Sequence, residues 1–199
     1  MAVVTSKYIF IHVPKAAGQS VNRRLGGATR GVPEHAPLSF FDVRNRFTFG
    51  FARNPWSRMV SLYSFICQKT LRSPESPAYQ REARRMGFKA WLTEDHFFMD
   101  QDKNWMIQDL PSMQRRPQMF WLEGCDFIGK VESLEQDFKI ARKTAGIRPR
   151  LGEIFGQGRS LEHRNRSSHT DYRRYYDAES KTFVARHFEM DIDAFKYTF

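Results

Sequence analysis

The chain has 199 residues, with 32 Lys and Arg against 22 Asp and Glu and a formal charge of +10, a balance that suits one α/β domain with a sizeable core and anionic partners. Its two cysteines, Cys67 and Cys125, exclude a disulfide framework and lack metal-ligand spacing, so both are expected to be idle thiols. No apolar run approaches the ~20 residues of a membrane span, and no basic stretch followed by an uninterrupted apolar one opens the chain.

The run Tyr8-Ile9-Phe10-Ile11-His12-Val13 carries no formal charge and predicts a strand buried on both faces over 8–13. Pro14 and Gly18 mark the turn after it, and a helix is expected over 19–26 with Gly26-Gly27 as its stop. Backbone N–H groups at such a strand-to-helix turn have no partners inside the helix. They can converge on phosphate or sulfate oxygens while Lys15 supplies a full positive charge. The spacing is not that of an ATPase or GTPase loop: Lys15 lies five residues before Ser20 instead of next to it, and Gly18 is the only glycine there.

A second strand is expected over 47–52, followed by a helix over 55–69 with Asn54 as N-cap and Pro55 at its first position. Met59, Leu62, Tyr63 and Ile66 share an apolar face of that helix, and Ser57, Ser61, Ser64 and Gln68 a polar one. Arg53 ends the strand and Ser61 sits two turns into the helix, so a guanidinium and a hydroxyl could reach one phosphate. Residues 71–86, interrupted at Pro74 and Pro77, read as a surface excursion, with a short amphipathic helix around Trp91 and an irregular stretch over 97–117. Gln118–Leu122 and Phe127–Val131 read as further strands. Ser133-Leu134-Glu135-Gln136 reads as a capping box opening a helix that stops near Gly146, and Asp177–His187 as a last helix. Alternation of strand and helix in the first third predicts a parallel sheet with covering helices. Nothing marks a repeat or a boundary, so 1–199 is expected to be one domain.

The segment Val13-Pro14-Lys15-Ala16-Ala17-Gly18-Gln19-Ser20 resembles the 5′-phosphosulfate loop of sulfotransferases that use 3′-phosphoadenosine 5′-phosphosulfate (PAPS). Arg53, with Ser61 eight residues later, resembles their 3′-phosphate site. Phe127–Glu135 and the stretch from Tyr175 to Asp193 are similar to late segments of the carbohydrate-type branch, the heparan 2-O and chondroitin-like enzymes. The resemblance implies a P-loop-kinase-like three-layer α/β fold with a central parallel sheet. It implies PAPS as donor and PAP as product, held by Lys15, Ala16, Ala17, Gly18, Gln19 and Ser20 at one end and Arg53 and Ser61 at the other. Lys15 would stabilise charge on the leaving phosphate, and no metal is called for. His35, in Pro33-Glu34-His35-Ala36-Pro37, would be the catalytic base, since neutral imidazole accepts a proton near neutral pH; Glu34 is the nearest substitute.

The acceptor implied is a carbohydrate hydroxyl, and an anionic glycan would use the surplus positive charge. Two other readings stay open at this point: a nucleotide kinase of related fold, and a noncatalytic basic protein binding nucleic acid or another polyanion. The first lacks its lysine spacing. Against the second, the basic residues are dispersed over Arg81–Arg85, Arg115-Arg116 and Arg164–Arg174 with no zinc-finger or RNP signature. Eukaryotic members of the carbohydrate branch carry a Golgi membrane anchor, so a bacterial or viral cytoplasmic protein is expected. His12 is expected to pack or hydrogen-bond near the loop, and His96 and His187 to be structural. The basic stretch 162–169, with His163 and His169, is expected either to close over the nucleotide or to be a solvated loop.

Overall fold

The computed structural model describes residues 2–27, 29–72, 78–93, 116–148 and 171–199. These fall into two compact units, one of residues 2–53 and 118–148, the other of 54–93, 116–117 and 171–199. The expectations for His96, 97–115 and 162–169 lie outside the described residues.

The first unit is built on a four-stranded sheet in the order β1 (Val3–Val4), β2 (Tyr8–Ile11), β3 (Phe47–Ala52), β4 (Phe127–Lys130). β1 runs antiparallel to β2, and the other pairs are parallel. The protein is therefore α/β with a mostly parallel sheet. β2 is four residues long where six were expected, because Val13 O turns back to accept the Ala16 N–H and Pro14 has none to give a ladder. β3 runs over the expected residues.

Alternation along β3 sorts its side chains onto two faces. Phe49 and Phe51 join Phe10 and Tyr8 on one face, where Val21 of α1 (Gly18–Leu25) and Leu134, Phe138 and Ala141 complete a buried core. Ring centroids of Phe10 and Phe49 are 5.4 Å apart, and each fully buried Phe contributes about 1.5–3 kcal/mol of transfer free energy. On the other face Gly50 leaves room for Leu122, whose side chain occupies the place a Cβ there would need. The sheet of this unit is thus covered on both sides.

Two local expectations are corrected here. Gln118–Leu122 is not a strand: Met119–Leu122 forms a single helical turn, α4, closed by Trp121 N–H to Gln118 O and Glu123 N–H to Met119 O. A four-residue apolar run carries no period to separate strand from helix. Ser133 does not make a capping box. Its hydroxyl donates to Asp137 Oδ2 at 2.7 Å, and that carboxylate also accepts the Lys130 N–H, so Asp137 ties the end of β4 to α5 (Leu134–Thr144).

The second unit is helical. α2 (Pro55–Arg72) starts as expected, with Asn54 Oδ1 accepting the Ser57 N–H at 3.2 Å while Asn54 Nδ2 donates to Thr198 O at 2.8 Å. α3 (Ala78–Thr93) breaks at Gly87, whose φ of +81° is outside the helical region. Its Phe88, Trp91 and Leu92 are buried, whereas between Arg81 and Met86 only Ala83 is, so the part of 71–86 whose burial is described lies mostly at the surface, as a helix. Phe88 lies within 5.0–6.1 Å of the rings of Tyr63, Trp91, Tyr175 and Tyr176. A capping box closed by Asp177 and Ser180 starts α6 (Ala178–His187), and α7 (Glu189–Phe195) follows. His187 packs edge-on against Phe188, a structural role as expected. Among the described residues no helix is long and apolar enough to cross a membrane.

Candidate active site

The parallel register sets Ile11 beside Gly50 and Ala52 beside Lys130, so the chain leaves β2 and β3 at the same, carboxyl end of the sheet. Ligands of open α/β sheets bind at that end. The segment His12–Ala17 turns there from β2 into α1. Two of its residues take left-handed backbone conformations that side chains with a Cβ rarely adopt, Lys15 at φ +63° and Ala17 at φ +59°. Such residues cost on the order of 1 kcal/mol each and are characteristic of turns that aim backbone N–H groups at an anion. Ala17 O accepts from Ser20 N–H at 2.9 Å and Val21 N–H at 3.2 Å. Gly18 and Gln19 supply the earliest helical N–H groups, which have no acceptor within α1. Ser20 is buried in the first turn.

Gly18 is needed for a reason beyond backbone freedom: a Cβ on it would fall inside the His12 ring. His12 is buried, and burial, reinforced by His35 and Lys15, holds its imidazole well below its ordinary value. It is therefore neutral at pH 7, so its 3.9 Å approach to Glu34 Oε1 is not an ion pair.

His35 is half-buried in the loop before β3. Its Nδ1 lies 2.8 Å from His12 O. A carbonyl only accepts, so Nδ1 carries the proton and the lone pair of the neutral ring is on Nε2. The His35 carbonyl in turn accepts from the buried Trp121 indole at 3.0 Å, which anchors the loop on α4.

Arg53 follows the last residue of β3. Its Nη1 donates to Lys15 O at 3.4 Å, so the residues singled out for the two ends of a nucleotide meet within one unit. The Arg53 peptide is gripped by the buried side chain of Gln118: Oε1 accepts the Arg53 N–H and Nε2 donates to the Arg53 carbonyl, both at 2.8 Å. Sequence reasoning missed Gln118, because nothing local signals a partner 65 residues away. Ser61 belongs to the second unit. It is buried in α2.

The remaining candidates for chemistry are quiet. Burial raises the Cys67 thiol and pushes Cys125 up to about 12, so both stay protonated at neutral pH. Among the described residues no group of three or more His, Cys, Asp and Glu is placed to hold a metal ion.

A family model described as the sulfotransferase family matches residues 35–198. The match includes His35, Arg53, Ser61 and Gln118 and begins after the 12–20 turn. No curated protein and no solved structure matches the chain.

Proposed function

The chain belongs to the sulfotransferase family, and on that premise we propose that it transfers a sulfuryl group from PAPS to an acceptor hydroxyl on a carbohydrate. The observation that carries this reading is the meeting of Arg53 with the Lys15 loop at the carboxyl end of a parallel sheet, with a histidine oriented by the His12 carbonyl on the same loop system. The donor set suits the nucleotide chemically: first-turn N–H groups and an ammonium for a phosphosulfate, a guanidinium and a hydroxyl for a 3′-phosphate. The mostly parallel sheet supports a P-loop-kinase-like fold, and a family match that runs through residues of both units supports a single domain over 1–199.

PAPS supplies an activated sulfuryl group whose bond to a phosphate oxygen breaks on transfer. The protein's task is to hold, orient and neutralise, much as in phosphoryl transfer. Lys15, with the N–H groups of Ala16, Ala17, Gly18 and Gln19 and the Ser20 hydroxyl, holds the phosphosulfate end, and Arg53 and Ser61 hold the 3′-phosphate. His35 Nε2 takes the proton from the acceptor hydroxyl as its oxygen bonds to sulfur, and the Nδ1–H to His12 O bond steadies the imidazolium that results. Lys15 stabilises the charge left on the departing phosphate, leaving PAP and a sulfate ester as products.

Transfer of labelled sulfate from PAPS, screened across glycan, phenolic and lipid acceptors, tests the reading. Label on a glycan without added magnesium is expected. Label on a phenol or lipid alone would move the acceptor class, and none on any acceptor, with no PAP binding by calorimetry at millimolar ligand, would refute the reaction.

A further inference from the structure

His12 belongs to neither anion motif, yet its contacts join the two segments the reaction needs. Its buried ring fills the space beneath the donor loop that a side chain on Gly18 would otherwise take. The same ring meets the His35 ring edge-on, with centroids 4.7 Å apart and planes at 61°. Its main-chain carbonyl holds the His35 Nδ1 proton at 2.8 Å. One residue therefore touches the loop that would carry the donor and the imidazole that would deprotonate the acceptor.

We propose that His12 is a positioning residue, whose ring is a spacer that sets the height of the Lys15–Ser20 loop through Gly18 and the orientation of the His35 ring. The chemistry of this inference rests on the sulfotransferase reading, while its geometry rests on packing alone. Donor and base must meet the acceptor from two sides, and misplacement by ~1 Å can cost about a hundredfold in rate. A rigid ring wedged between them removes that freedom. An ionised His12 would not serve, because its charge would have to be desolvated beside Lys15 and His35. A merely structural core histidine would share the burial but would leave the His35 ring signals and the Gly18→Ala penalty unchanged when removed.

The test uses His12→Ala, Gly18→Ala and the double variant of the full chain. Nitrogen-15 NMR of the histidine rings should show wild-type His35 as the Nδ1–H tautomer. In His12→Ala the main-chain carbonyl, and with it the Nδ1–H tautomer, remains but the ring support is gone, so the His35 ring signals should shift and broaden and turnover should fall at least tenfold. Gly18→Ala alone should weaken PAP binding at least tenfold, and the double variant should recover most of that loss, because the vacated ring space admits the methyl. If Gly18→Ala does not fold, recovery of folding in the double variant is the supporting result. Unchanged His35 ring signals and turnover in His12→Ala would overturn the proposal, as would a Gly18→Ala penalty that is the same with and without the His12 ring. The reaction can fail separately. A wild type that neither binds PAP nor transfers sulfate refutes the function, while the His35 ring signals and the urea-unfolding coupling of Gly18 and His12 still decide the positioning role.

Discussion

At the scale of single residues, the roles proposed for Lys15 and His35 are different, and their variants should differ in kind. Lys15→Ala should lower turnover by orders of magnitude and weaken PAP too, since one ammonium serves binding and charge stabilisation. Lys15→Arg should recover only part, because a planar fork cannot take a point-charge position already shaped by a φ of +63°. His35→Ala should lose most of its turnover while binding PAP nearly as wild type does, and wild-type turnover should fall on acidification as Nε2 takes a proton. Steady-state kinetics alongside PAP titration separates the two patterns; equal losses of PAP affinity in both variants would contradict the division. Gln118 offers a different readout. Gln118→Ala leaves the Arg53 N–H and C=O without their 2.8 Å partners, and an unmet buried polar group costs about 1–3 kcal/mol. Urea unfolding should show that loss, and PAP affinity should fall although Gln118 reaches the nucleotide only through Arg53.

Among the elements, α3 and α6 are joined by charge. Lys89 Nζ of α3 stands 2.8 Å from Asp177 Oδ2 and 2.6 Å from Glu179 Oε2, at the start of α6. The Lys89 ammonium, with hydrogen bonds from Ser180, holds the Asp177 carboxyl well below the usual carboxylate range. A carboxyl depressed in the folded state adds stability that is fully present above its unfolded value, near 3.8, and is lost as pH falls through the lower folded value. Stability of the wild type should therefore drop on acidification below about pH 4. In Asp177→Asn that part of the pH dependence should vanish. Both side chains are half-exposed, so added salt should shrink the difference. A variant whose unfolding midpoint follows the same acid limb as wild type would remove Asp177 from the account.

For the whole molecule, a charge of +10 and the proposed polyanionic donor predict linkage between binding and stability. A ligand that binds only the folded state adds about 2.7 kcal/mol at a hundred times its dissociation constant. PAP should raise the thermal midpoint accordingly. The rise should be smaller in Arg53→Ala and Ser61→Ala and should diminish with ionic strength, since the Debye length is ~10 Å at 0.1 M salt. A midpoint insensitive to millimolar PAP would count against the site. An equal rise in wild type and both variants would locate the 3′-phosphate elsewhere.

Much of the fold could be read along the chain because its signals are local. Phe47–Ala52 announces itself by composition, Asn54-Pro55 starts α2 with a cap and a proline, and Asp177 opens α6 in the expected place. The resemblance that singles out Lys15, His35 and Arg53 is of the same kind, since the order and spacing of charged, small and hydroxyl-bearing residues is one-dimensional information. Tertiary structure decided what depends on distant partners. The two residues of β1 carry no strand signal until they pair with β2, and Met119–Leu122 becomes a helical turn against a sheet whose Gly50 makes room for Leu122. Gln118 acquires its role from a peptide 65 residues away, and His12 from a glycine and a histidine on either side of it in space. Pattern within a window specifies backbone conformation, whereas the direction of a side chain and the partner it meets are settled only when packing brings remote segments together.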